Sequence, residues 1–136
     1  MTNSYIPKAK TGNSDSISKS LTYDGITFTA PNINNRPFYV FATKNGKTIW
    51  EKNNQIIPLD QQNPDLKNGG IDKFLIKDVS DKDLDQGSSN YQEIKQYIGK
   101  PALYVYYSEY SSINRLPSWI IVDIYTGETI NFIAFN

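Results

Sequence analysis

The chain has 136 residues, 14 basic and 14 acidic side chains, and no histidine or cysteine. That length suits a single domain with one core, and the cancelled charge removes the main electrostatic argument for nucleic acid or an anionic membrane as a partner. Without thiols or imidazoles there is no disulfide frame, no cysteine nucleophile and no Ser-His-Asp arrangement, so a metal would have to be held by oxygen ligands alone.

The first twenty residues are polar, with Tyr5 and Ile6 as isolated apolar side chains and Pro7 and Gly12 as breakers. They read as a flexible arm, 1–20, preceding a single domain over 21–136. The arm has no apolar stretch of the kind a secretory signal needs, and no later segment approaches a membrane span. With Met1 at the start, the expectation is a cytoplasmic protein. Its richness in Tyr, Asn, Lys and Ile is compatible with an AT-rich bacterial or phage genome.

Asp24-Gly25 carries a turn signal, and Ile26 and Phe28 alternate with Thr27 and Thr29 as in a short strand. Residues 38–52 give the clearest local pattern. Asn45-Gly46 separates two alternating runs, the chemistry of a type I′ hairpin. A two-residue loop predicts that Thr43 faces Thr48, Ala42 faces Ile49, and Phe41 pairs with Trp50 across the strands. The polar, Pro-containing run over 53–70 reads as a long connection.

The triplet Phe74-Leu75-Ile76 fits a buried strand or a helical turn, and its periodicity does not decide between them. Ser80 is placed to cap one helical turn before Gln86. Residues 89–98 are the best helix candidate: Ser89 and Gln92 form a capping box, Tyr91, Ile94, Tyr97 and Ile98 share a face, and Gly99 and Pro101 stop it. The densest β segment is 102–135. A strand over 102–110 is followed by a hairpin turning at Thr126-Gly127, and a two-residue loop there would place Trp119, Ile121, Phe132 and Ala134 on one face. Both faces of these strands are apolar, so cover on both sides is expected. The segment Gly46-Lys47-Thr48-Ile49-Trp50 is echoed by Gly127-Glu128-Thr129-Ile130-Asn131, read as two hairpins sharing turn chemistry. The fold expected from all this is α+β: one antiparallel sheet of about five or six strands with one main helix (89–98) packed on one face.

Several constellations carry candidate chemistry. Gly46-Lys47-Thr48 lacks the earlier glycine of a phosphate-binding loop and sits in a hairpin, so it is set aside. Asp81, Asp83 and Asp85 have the spacing of the first calcium-loop ligands, but the required glycine and the closing acid each fall one residue late, which favours solvated carboxylates at a helix start. Glu109 and Asp123 are acids inside apolar strands and form the candidate acid pair for a carboxylate-based enzyme or a ligand cleft. Tyr104, Tyr106 and Tyr110, together with Trp50 and Arg115, are the candidate partner-binding surface, since tyrosine, tryptophan and arginine dominate interface hot spots. The preferred reading is a small protein that acts by binding another protein, most concretely an immunity protein or inhibitor. The alternatives are the carboxylate enzyme or small-ligand domain, and a structural part of a phage or secretion assembly. No cofactor is expected. The partner is another protein or a second copy of this chain, with no nucleic acid and no membrane.

Overall fold

A computed structural model describes residues 19–31, 38–54, 71–110 and 115–134. The side chains of residues 38, 54, 108–110, 115–118 and 134 lie outside that description, as do residues 1–18 of the expected arm and the connection over 55–70.

Eight strands form two four-stranded antiparallel sheets. The first sheet is a meander of β1 (Lys19–Tyr23), β2 (Ile26–Ala30), β3 (Phe38–Lys44) and β4 (Lys47–Asn54). The second is a meander of β5 (Ile71–Asp78), β6 (Pro101–Tyr110), β7 (Arg115–Val122) and β8 (Thr129–Ala134). Strand β1 begins at Lys19, inside the segment expected to be the arm. Two tight turns organise the first sheet. Asp24 and Gly25 take φ of 54° and 77°, and Asn45 and Gly46 take 53° and 78°. Positive φ at both central residues is the type I′ geometry, whose twist matches that of the flanking strands.

The expected single sheet with a main helix over 89–98 is overturned. The structure is mostly β, and the helical segment is short: α1 (Tyr91–Ile94) followed by one 3₁₀ turn, Lys95–Tyr97. Asn90, not Ser89, stands at the N-cap, and it makes no side-chain capping bond. Ser88 and Asn90 instead bond to each other in the preceding turn. So short a helix does not hold itself together in water, and this one is fastened by its tyrosines. Tyr91 Oη donates to Asp81 at 2.6 Å, and Tyr97 Oη donates to Asp123 at 2.9 Å. Ile98, expected on the buried face, is 41% exposed.

The two sheets stack face to face around one core. Ile26, Phe28, Val40, Ala42 and Trp50 of the first sheet pack with Leu103, Val105, Tyr107, Ile120 and Val122 of the second. Trp50 ties the layers together: its indole N–H donates to the Ile124 carbonyl at 2.9 Å, and its ring lies 5.9 Å from Phe28, centroid to centroid. Lys52 adds a bond from its ammonium to the Gly127 carbonyl at 3.0 Å.

Two β-bulges correct the expected registers. Thr43 faces Thr48 as the turn dictates, but Ala42 then faces Trp50 and Phe41 faces Glu51. Ile49 is the extra residue, and the predicted Phe41–Trp50 pair does not form. In the last hairpin, Val122 faces Thr129 while Ile121 faces Asn131, leaving Ile130 as the extra residue. The echoed Gly-x-Thr-Ile segments therefore share more than a turn, since both place a positive-φ glycine before a bulged isoleucine. The last loop is also longer than two residues. It runs between Val122 and Thr129 and is closed by the Gly127 N–H to Asp123 carbonyl bond and the Asp123 N–H to Glu128 carbonyl bond, each 2.9 Å. As a result Trp119 and Ile121 share their face with Asn131 and Ile133, while Phe132 lies opposite with Ile120.

Candidate functional site

The outer face of the second sheet has its own apolar cluster: Ala102, Tyr104, Ile121 and Ile130, with Leu75, Trp119 and Ile133 partly buried against them. Part of this face is roofed by the chain between β5 and β6. That excursion is closed at its neck by the Val79 N–H to Lys100 carbonyl bond and the Gly99 N–H to Val79 carbonyl bond, at 3.0 and 2.8 Å. It contributes Val79, Leu84 and Ile94 to the cluster, with Tyr91 and Tyr97 packed beside them. The roof stops short of the whole face. Beside it lies a groove of about 370 Å³ crossing all four strands, lined by Leu75 and Lys77 of β5, Tyr104 of β6, Trp119 of β7 and Ile133 of β8. Lys82 and Asp83, from a 3₁₀ turn at Asp81–Asp83, close its wall.

The wall is built around Asp83. Its carboxylate accepts the Tyr104 hydroxyl at 2.7 Å and lies 3.5 Å from the Lys77 ammonium. Its carbonyl accepts Asn131 Nδ2 at 2.7 Å, which ties the turn to β8. Lys77 also stands 4.8 Å over the Tyr104 ring. Burial opposes ionisation of Asp83, but the Tyr104 hydroxyl and Lys77 outweigh it and hold the carboxyl below its ordinary range. Burial first, and then the bond to Asp83, push the Tyr104 phenol well above its usual value. The aromatic floor continues into Tyr106. That ring meets Trp119 edge-on at 4.9 Å, and Lys73 lies 5.6 Å over both rings.

The residues singled out from the sequence divide sharply. Tyr104 and Tyr106 do share this outer face, but Tyr104 is only 3% exposed and forms floor more than surface. Trp50 lies in the inner core, so it is not on the same surface at all. Tyr110 and Arg115 face each other across β6 and β7 in register, and their side chains, like that of Glu109, lie outside the described residues. Glu109 pairs with Leu116, whereas Asp123 follows Val122, whose partner is Leu103. Glu109 and the Asp123 turn are thus at opposite ends of the β6–β7 ladder, roughly 20 Å apart at the strand rise. They do not form a working pair.

Asp123 is a turn builder. One carboxylate oxygen accepts the Tyr125 and Thr126 N–H groups at 2.8 and 3.1 Å, and the other accepts Tyr97. Burial and that last bond push the Tyr97 phenol up to about 12. Beside it is a hollow of about 400 Å³ lined by Gln96, Tyr97, Lys100 and Tyr125, and among the described residues Asp123 is the one acid in its lining.

The calcium-spaced trio is dispersed among separate bonds. Asp81 accepts Tyr91 and Gln86, Asp83 accepts Tyr104, and Asp85 accepts the Gly87 N–H at 3.0 Å. Among the described residues no three acidic side chains gather into a group able to hold a metal ion.

Lys73, Leu75, Lys77 and Trp119 were not read from the sequence as a surface. A signal existed in the alternation of β5, which sends Lys73, Leu75 and Lys77 to one face and Phe74 and Ile76 to the core. Among the described residues no helix is long and apolar enough to cross a membrane. Compared with family models, curated proteins and solved structures, the chain matches none of them.

Proposed function

We propose that this is a binding protein that docks another protein on the outer face of its second sheet, acting in a bacterium or phage as an immunity protein or inhibitor. The observation that carries the reading is the half-roofed apolar face: Leu75, Trp119 and Ile133 line an open groove on a floor already held rigid by Asp83, Tyr104 and Lys77. Partly buried aromatic and aliphatic anchors beside charged groups are what interface hot spots are made of. The groove's titratable pair does not suit proton transfer near neutral pH, because Asp83 is pushed down and Tyr104 up.

The groove volume also falls in the range of small-molecule sites, which keeps a small apolar ligand as the second reading. The two readings part in a capture experiment from the native host, with the tagged full chain and its Trp119→Ala variant as baits. A protein recovered in stoichiometric amount by the first bait and lost with the second is the expected result. A stoichiometric metabolite with no protein would defeat the protein-binding reading in favour of the ligand.

A further inference from the structure

The outermost strands of a sheet carry unpaired N–H and C=O groups, so an edge is either guarded or used. Among the described strands the edges are β1 and β4 of the first sheet and β5 and β8 of the second. Three of them carry lysine, a common guard against edge-to-edge pairing: Lys19 in β1, Lys47 and Lys52 in β4, Lys73 and Lys77 in β5. Strands β1 and β5 also lie against each other at one side of the sandwich. Strand β8 reads Thr-Ile-Asn-Phe-Ile-Ala and carries no charge. Its bulge, at Ile130, stands next to the turn and leaves residues 131–134 in unbroken register with β7.

Both faces of this edge are apolar. Ile133 shares the outer face with Trp119, partly buried. Phe132 lies on the inner face with its ring 6.4 Å from that of Tyr107, yet it is 41% exposed. The polar side chain between Thr129 and Phe132 is Asn131, and its amide already donates to the Asp83 carbonyl at 2.7 Å. Isoleucine and phenylalanine suit a strand that is paired and covered, not one left at an open margin.

We infer that β8 is a homodimerisation edge, pairing with β8 of a second copy so that the two second sheets run on as one. Charge selects this occupant. Pairing any of the other three edges with its own copy brings lysines from both chains to one seam, which opposes association; β8 against β8 brings none. The 14 basic and 14 acidic side chains of the chain cancel, so two copies meet without net repulsion. A two-fold interface must be self-complementary, and an uncharged apolar strand is its own complement. The symmetry makes the pairing antiparallel, and directly opposed side chains come from the same face of the sheet. Centring the seam on Phe132 sets the two exposed rings against each other and Asn131 opposite Ile133 of the second copy. The outer face of each sheet stays open in such a pair, so the dimer is independent of the docking reading and places both grooves on one side.

The test is analytical ultracentrifugation of the full chain from about 10 μM to about 1 mM, the range in which a seam of modest area associates. A reversible dimer is the expected result. Phe132→Lys puts a guard on β8 and two like charges at the seam, and should weaken association about ten-fold or more. Ile49→Lys is the control: Ile49 is 40% exposed but stands on β4, so association should be unchanged. Urea midpoints check that both variants are folded. Amide exchange reads the seam without a mutation, since N–H groups within residues 131–134 of the wild-type chain should slow as concentration rises while those of β4 do not.

A chain that stays monomeric throughout that range overturns the inference, as does a dimer that Ile49→Lys disrupts and Phe132→Lys does not. Protection of β8 that is the same at every concentration in a monomer also overturns it, because the edge is then covered within the chain. If Phe132→Lys does not fold, the exchange measurement decides: no concentration dependence within residues 131–134 defeats the β8 seam.

Discussion

The two sheets are built to the same plan and differ in what lies behind them. Both are four-stranded meanders, and both turn an apolar face inward. In the first sheet, β2 alternates fully buried Ile26, Phe28 and Ala30 with half-buried Thr27 and Thr29. Behind it are threonines and the Tyr39–Phe41 ring pair, with Tyr39 bonded to Glu51. In the second sheet, residues 102–105 are buried without interruption, because a second apolar cluster and its roof lie behind them. A sheet covered on one face reads as alternation, and one covered on both reads as a continuous apolar run. Among the described residues, the half-roofed groove lies on the second sheet, where that outer cover is incomplete.

The sharpest way to break the comparison is to truncate the outer face of each sheet and measure urea unfolding. Ile121, fully buried behind the second sheet, should cost about 2–5 kcal/mol as Ile121→Ala. Thr27→Ala, behind the first sheet, loses only the hydroxyl bond to Thr22 and should cost about 1 kcal/mol. Similar losses at both positions would show that the outer faces are not so different.

The join between the sheets gives a prediction almost as large. A Cβ on Gly127 would come within 2.6 Å of the Trp50 ring, at a backbone φ of +77°. Gly127→Ala should therefore destabilise by about 3 kcal/mol, combining overpacking with left-handed backbone strain. Trp50→Phe, which strands the Ile124 carbonyl, should cost about 2 kcal/mol. If Gly127→Ala unfolded at the wild-type denaturant midpoint, the ring would not be seated as described.

A smaller effect is expected at the turn that anchors the roof. Asp123→Ala removes two backbone bonds and the Tyr97 contact, and should cost about 1–2 kcal/mol. Amide exchange should accelerate through residues 91–97 while the inner core stays protected. Uniform acceleration across both sheets would mean that the roof is not a separable unit.

The smallest effects are in pH dependence. The folded-state pKa of Tyr97 is raised to about 12, so its contribution is complete below about 10, the ordinary phenol value, and is lost as pH rises toward 12. The alkaline slope of stability should flatten in Tyr97→Phe. Asp83 has the opposite sign: its folded pKa is depressed, so its stabilisation is present above the ordinary carboxylate range and fades as pH falls through the lowered value. Asp83→Asn should reduce the acid-side loss, and an unchanged acid limb would contradict the Asp83–Lys77–Tyr104 arrangement.

Local chemistry was legible in the sequence wherever neighbours along the chain decide the outcome. Asp24-Gly25 and Asn45-Gly46 specify tight turns because only such residues accept positive φ at low cost. The alternation in 26–30 and the unbroken apolar runs after residue 101 follow from a side-chain period of two and from the number of covered faces. The need for cover on both sides was legible and is met at 102–105 and 120–122, and Tyr104 and Tyr106 were legible as members of one face.

Three things were decided only in three dimensions. The partition of eight strands into two stacked sheets depends on which apolar faces meet, and those contacts join residues as far apart in sequence as Trp50 and Ile124. The bulges at Ile49 and Ile130 shift every side chain beyond them by one position, so the Thr43–Thr48 pair counted from the turn holds but pairings counted past a bulge do not. The helix over 89–98 shrank to one turn of α and one of 3₁₀ because its pattern was amphipathic but too short to stand alone, and its tyrosines found acids on other elements. The groove follows from these non-local outcomes, since it is the strip of the second sheet that the pinned roof leaves bare.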